Sequence, residues 1–201
     1  MCGGLKPQLL QILEKIFSKN PLTNPKECAI IKVQKRKELI TMPKKMNVNV
    51  KMICFDMDGT IADLYGVENW LTMLRNDNPA PYRLANPMWD MDELAMVLMA
   101  LQRKGVEIRI TTWLSKDATP AFDRAASVAK IDWLRHYDFP FDHFHGIHYG
   151  IPKADSVRAE LREGETAILI DDNAEVRSEW NVGATIDPTA CNIIEFLKNL
   201  L

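Results

Sequence analysis

The chain has 201 residues, 47% of them hydrophobic and 26% charged, with a formal net charge of −2. This length and composition suit one α/β domain with appendages, and exclude collagen-like, disordered and disulfide-stapled classes. The near-zero charge excludes an overall basic signature for nucleic acid. No apolar run approaches the roughly 20 residues that span a bilayer.

Charge is unevenly distributed. Residues 1–49 carry a net charge of +7, which leaves −9 for the remainder. Asymmetry of this kind marks a tail added to a domain. Cys2, Cys28, Cys54 and Cys191 are scattered and form no C-x-x-C pair, so a reducing compartment is expected. The N-terminus lacks the order of a secretory signal, and the expected location is cytoplasmic. Leu5, Leu9, Ile12, Leu13, Ile16 and Phe17 recur at helical spacing until Asn20-Pro21 and Asn24-Pro25 break the pattern. Residues 1–49 are therefore read as a basic extension, partly helical or disordered. It is either a solvated tail or a segment for nucleic acid or another anionic surface. A natural start at Met42, Met46 or Met52 also fits the change of composition near residue 50.

From there the pattern is that of an α/β domain over residues 50–201. An apolar run at 50–55 predicts a strand that ends at Asp56-Met57-Asp58-Gly59-Thr60. Residues 61–90 hold aromatics and proline turns, and read as a small cap inserted after that strand. A helix follows over 92–104, with acids in its first turn, Arg103 and Lys104 in its last, and Gly105 as a stop. Residues 106–111 predict a strand ending at Thr111-Thr112, and 120–136 a helix. A short strand at 144–149, a helix at 152–161 and a strand at 166–170 lead to Asp171-Asp172. A weak strand at 184–186 and a helix over 191–201 close the chain. This alternation predicts a central parallel sheet with helices on both faces.

The polar clusters Asp56/Asp58, Thr111/Thr112 and Asp171/Asp172 each follow an apolar strand. Ligands of open parallel sheets bind outside the carboxyl ends of the strands, so the clusters should converge. Lys153, at the start of an intervening helix, can reach the same spot. Four carboxylates together repel one another and call for a cation, and an oxygen-rich set suits Mg²⁺. Asp56 can attack phosphorus to give an aspartyl-phosphate, and Asp58 can protonate the leaving oxygen and then activate water. Lys153 and the Thr111 hydroxyl would help neutralise the transferring group. Gly59 permits a tight turn beside it.

These residues resemble the motifs of the haloacid dehalogenase (HAD) superfamily. Asp56-Met-Asp-Gly-Thr60 resembles its D-x-D-G-T first motif, Ile110-Thr111-Thr112 its second, Lys153 its third, and Ile168-Leu-Ile-Asp171-Asp172 its acidic fourth. The resemblance runs in order over about 50–187. It implies a HAD-like Rossmannoid three-layer fold and Mg²⁺ as cofactor. Asp56 would be nucleophile and metal ligand. Asp58 would be acid/base, with its backbone carbonyl on the metal. Asp172 would be the metal-binding acid, with Asp171 in support. Gly59, Thr60, Thr111, Thr112 and Lys153 would bind phosphate. Within the superfamily the likeness is to 5'(3')-deoxyribonucleotidases and related phage-type phosphatases, through Thr111-Thr112, Lys130-Ile-Asp-Trp133-Leu and Ile170-Asp171-Asp172.

The implied activity is Mg²⁺-dependent phosphomonoester hydrolysis, with a small phosphorylated substrate such as a nucleotide. Two other readings stand beside it: a polynucleotide 3'-phosphatase acting on a nucleic-acid end, and a non-catalytic module that binds a phosphorylated ligand. Tyr65 and Trp113 are the aromatics best placed to touch substrate, against the plainer reading that Tyr65, Trp70, Tyr82, Trp89 and Trp113 pack the cap. His143, His145 and His148 look like a metal cluster, but strand alternation puts 143 and 145 on one face and 148 on the other.

Overall fold

The structure, a computed structural model, describes residues 49–201. The basic extension, its expected helix and the starts at Met42 and Met46 lie outside the described residues. Met52 lies inside the first strand, fully buried, so a start there would remove Asn49–Lys51 from that strand.

The first strand, β1 (Asn49–Phe55), is the hub of the sheet. It runs into the inserted segment: β2 (Ala62–Asp63), a 3₁₀ turn at Leu64–Gly66, α1 (Trp70–Arg75), α2 (Ala80–Leu84) and β3 (Asn86–Pro87). Then come α3 (Met91–Arg103), β4 (Glu107–Trp113), α4 (Pro120–His136), β5 (His143–Ile147) and α5 (Asp155–Arg158). The chain closes with β6 (Glu165–Ile170), α6 (Ala174–Glu179), β7 (Gly183–Ile186) and α7 (Ile193–Lys198).

Five strands form one sheet in the order β5-β4-β1-β6-β7, and every pairing is parallel. A parallel sheet must be covered on both faces, so its central strands read as continuous apolar runs. Ile53 and Phe55 of β1, with Ile108, Ile110, Ile168 and Ile170, pack against Leu94, Leu98, Trp133 and Phe196 on α3, α4 and α7. Met52, Cys54, Ala167 and Leu169 face the other way, onto Val157, Val176 and Trp180. The result is the expected three-layer α/β fold. Connections from β1 lead towards β4 and β5, whereas β6 leads away to β7. The order therefore reverses between β1 and β6, and a crevice opens at their carboxyl ends.

Local chemistry explains the helix boundaries. Thr119 caps α4, accepting from Phe122 N–H at 3.1 Å, and Pro120 occupies the first turn where no N–H is needed. Asp90 caps α3 in the same way through Glu93 N–H at 3.0 Å. Two boundaries differ from expectation in ways that matter. The helix expected over 152–161 is regular only at Asp155–Arg158, with turns on either side. The strand expected to end at 111 continues through Trp113, because β5 pairs with it as far as Trp113↔Ile147.

The inserted segment packs on α4. Leu64 and Tyr82 are buried with Phe122, Ala126 and Ala129, and Trp133 Nε1 donates to Ala85 O at 2.7 Å. Trp89 Nε1 donates to Thr60 O at 2.8 Å, which ties the end of the insertion to its beginning. No helix among the described residues is long and apolar enough to cross a membrane.

Candidate active site

Asp56 follows β1 and Asp171 follows β6, on either side of the sheet's switch point. Their backbones are anchored there: Asp56 N–H donates to Ile170 O at 2.8 Å, and Asp171 N–H to Ile186 O at 3.2 Å. Lys153, from the turn before α5, is almost wholly buried and reaches both carboxylates. Its Nζ lies 2.5 Å from Asp56 Oδ1 and 2.7 Å from Asp171 Oδ2.

Asp172 completes an acidic group with them. One oxygen each of Asp56, Asp171 and Asp172 lies within 4.8 Å of the others. Gly59 makes that approach possible. It has φ +77°, and a Cβ there would sit 2.6 Å from both Asp172 Oδ2 and the Tyr65 ring. Asp172 is locked from the same turn. Its N–H donates to Thr60 Oγ1 at 3.1 Å, and that hydroxyl lies 3.3 Å from Asp172 Oδ1 as donor. Asn173 caps α6 and its N–H donates to Asp171 Oδ1 at 2.9 Å.

The electrostatics follow from three carboxyls facing one ammonium. Burial, reinforced by the Asp56 charge, pushes the Asp171 carboxyl up to about 7 against the pull of Lys153. Burial and then Asp56 raise Asp172 as well. Burial works against the Lys153 charge, but Asp56 and Asp171 hold the ammonium above its usual range. A buried oxygen cluster with surplus negative charge fits a hard divalent cation such as Mg²⁺.

Asp58 stands apart from this group. Its carboxylate turns towards α4, where Lys130 Nζ meets Oδ2 at 2.6 Å. Burial raises the Asp58 carboxyl above the usual range, with Lys130 opposing and Asp56 adding to the rise.

Asp56, Asp58, Lys153, Asp171 and Asp172 all line one cavity of about 640 Å³, a size that admits a small ligand. One wall comes from the insertion, through Tyr65, Trp70, Leu74 and Arg75. The other comes from the segment after β4, through Trp113, Ser115 and Lys116, with Tyr149 beside it. The aromatics are paired: Tyr65 meets Trp70 edge-on at 5.2 Å, and Trp113 meets Tyr149 at 4.8 Å. Trp113 is held by its Nε1 donating to Ile151 O at 2.9 Å, and Lys153 Nζ lies 5.7 Å from its ring centre.

The other expected site residues are placed differently. Gly59 and Thr60 shape and hold Asp172 but do not line the cavity. Thr111 and Thr112 are fully buried inside β4, not beyond its end, and they point to opposite faces. The Thr111 hydroxyl packs by the Cys54 thiol, and Thr112 Oγ1 accepts from Lys130 Nζ at 2.8 Å. Neither lines the cavity. The histidines are also outside its lining: His143 and His145 lie with ring centres 6.2 Å apart, and His148 Nδ1 is 3.3 Å from Asp123 Oδ2. Lys130 was not among the expected site residues. A lysine on the apolar face of α4, in register with Ala126, Ala129, Trp133 and Leu134, was the available signal.

No family model matches the chain, and no curated protein matches it. Among solved structures it is similar to a chain in the structure of the Pnkp1/Rnl/Hen1 RNA repair complex, with 16% identity and a TM-score of 0.47 over 77% of this chain and 48% of that one. It thus spans about half of that protein's length. It is also similar to the HAD domain of the effector protein Lem4 from Legionella pneumophila, with 13% identity and a TM-score of 0.41 over 76% of this chain and 94% of that one. Neither likeness transfers chemistry at these values, and the fold stands on the order and register of the strands.

Proposed function

We propose that the chain is a Mg²⁺-dependent phosphomonoester hydrolase that forms an aspartyl-phosphate on Asp56 and acts on a nucleotide, most simply a deoxyribonucleoside 5'-monophosphate. The observation that carries this reading is the meeting of Asp56, Asp58, Asp171, Asp172 and Lys153 on one cavity at the switch point of the sheet. The motif resemblance to HAD phosphatases gives the same assignment.

Asp56 supplies the attacking carboxylate oxygen. Asp58 sits two residues on with its own partner, and gives a proton to the departing oxygen before taking one from the water that releases phosphate. Lys153 fixes the Asp56 carboxylate and adds positive charge beside the transferring group. Asp56, Asp172 and the supporting Asp171 would hold Mg²⁺, with the Asp58 carbonyl that the resemblance implies, and the ion would neutralise phosphoryl oxygens. Aromatic pairs on both walls favour a planar base over a bare sugar, since a base can stack on either pair.

The test is phosphate release with and without Mg²⁺ from deoxy- and ribonucleoside 5'- and 3'-monophosphates, 3'-phosphorylated oligonucleotides and sugar phosphates. Mg²⁺-dependent release that is fastest from a 5'-mononucleotide and lost in Asp56→Asn is expected. Preference for oligonucleotide ends would transfer the reading to a 3'-phosphatase. Thermal stabilisation by nucleotide without any release would leave a binding module in its place.

A further inference from the structure

Lys130 is fully buried, which for a lysine demands matched partners. It has three. Its Nζ donates to Asp58 Oδ2 at 2.6 Å, to Thr112 Oγ1 at 2.8 Å and towards Trp113 O at 3.4 Å. The ammonium also lies 4.7 Å from the centre of the Tyr82 ring, and the Tyr82 hydroxyl lies 3.0 Å from Ser115 Oγ. Three elements therefore fix this nitrogen: α4, which carries it, β4, which supplies two acceptors, and α2 of the insertion, which supplies the ring. Asp58 is the charged partner in the set, and it lines the cavity together with Trp113 and Tyr82.

We propose that Lys130 is a positioning residue for Asp58. By holding Oδ2 it sets the plane of the carboxyl group and presents Oδ1 to the leaving group. This rests on the phosphohydrolase reading above. In the step concerned, a bond forms between an Asp56 oxygen and phosphorus while the bond from phosphorus to the leaving oxygen breaks. The leaving oxygen takes the proton from Asp58, and the water that later attacks phosphorus returns one. Thr112 and Tyr82 contribute by holding the lysine, which gives the second threonine of β4 a place in the site without contact with phosphate.

The test separates proton delivery from general damage. Wild type, Lys130→Met, Asp58→Asn and the double variant are compared on p-nitrophenyl phosphate, whose leaving group departs without a proton, on phenyl phosphate and on an alkyl monophosphate. Lys130→Met should lower kcat/KM on the alkyl ester by about 10²-fold, within the range for a lost general acid. It should change kcat/KM on p-nitrophenyl phosphate by less than about fivefold, because that ratio reports the step in which the leaving group departs and not the later attack of water. Adding Lys130→Met to Asp58→Asn should cost nothing further on any ester, because the group to be positioned is already gone.

A uniform loss of kcat/KM across the esters, or a further loss in the Asp58→Asn background, would overturn the proposal. If a lone buried Asp58 prevents Lys130→Met from folding, the double variant removes both charges together, and its comparison with Asp58→Asn still decides. Unchanged rates in Asp56→Asn would instead overturn the phosphohydrolase reading itself.

Discussion

Two lysine–carboxylate clusters flank the cavity, and they differ in charge balance. On the α5 side of the sheet, Lys153 faces Asp56 and Asp171, with Asp172 beside them. That cluster has three carboxyls to one ammonium. On the α4 side, Lys130 faces Asp58 alone and spends its remaining donors on neutral acceptors. The first cluster is short of positive charge and fits a cation. The second is already matched, one carboxyl to one ammonium. Asp56 and Asp58, two residues apart in the turn after β1, thus enter clusters of different charge balance.

The largest effects should come from removing one acid on each side. Asp172→Asn should abolish stabilisation by Mg²⁺ and slow every ester alike. Asp58→Asn should leave Mg²⁺ binding in place and lower kcat/KM for poor leaving groups by about 10²–10⁴-fold, with little effect on kcat/KM for p-nitrophenyl phosphate. Calorimetric Mg²⁺ titration and kcat/KM across leaving groups check the pair. Loss of Mg²⁺ binding in both variants would erase the distinction between the clusters.

A smaller effect is expected at Thr60, which touches no ligand in this account. Thr60→Val keeps the shape but removes both hydrogen bonds to Asp172. Mg²⁺ affinity should fall by about tenfold, the lower end for lost outer-shell support. An affinity equal to wild type would show that Asp172 needs no such lock.

The smallest effect is a pH dependence of stability. The folded Asp171 carboxyl, pushed up to about 7, lies above its unfolded value of 3.8. The folded state therefore binds more protons between those values. The stabilisation is full below the unfolded pKa and is lost as pH rises towards the folded one. Mg²⁺ competes with that proton, so the rise in Tm at a fixed Mg²⁺ concentration should be greater at pH 8 than at pH 6. Thermal melts with and without Mg²⁺ at the two pH values measure it, and an equal rise at both would remove Asp171 from the account.

Much of this site was legible in the sequence because acids placed just after apolar strands must meet at one end of a parallel sheet. Asp56, Asp171 and Asp172 could be placed together on that ground alone. The threonines could not. Whether Thr111 and Thr112 lie beyond β4 or inside it depends on how far β5 pairs alongside, a nonlocal property of the sheet. Lys130 was hidden for a related reason. A lysine on a helix is ordinarily solvated, and its partners Asp58, Thr112 and Tyr82 lie up to 72 residues away in the chain. The role of Thr60 was also not legible, since its partner is 112 residues distant.

In the proposed reaction Asp56 carries the phosphoryl group. The most direct test is an acid quench of the protein during turnover of its fastest substrate, labelled in the phosphate, with Mg²⁺ present. Protein-bound label that hydroxylamine releases is expected, located on the peptide containing Asp56 and absent in Asp56→Asn. Phosphate release with label on another residue, or undiminished release from Asp56→Asn, would contradict it.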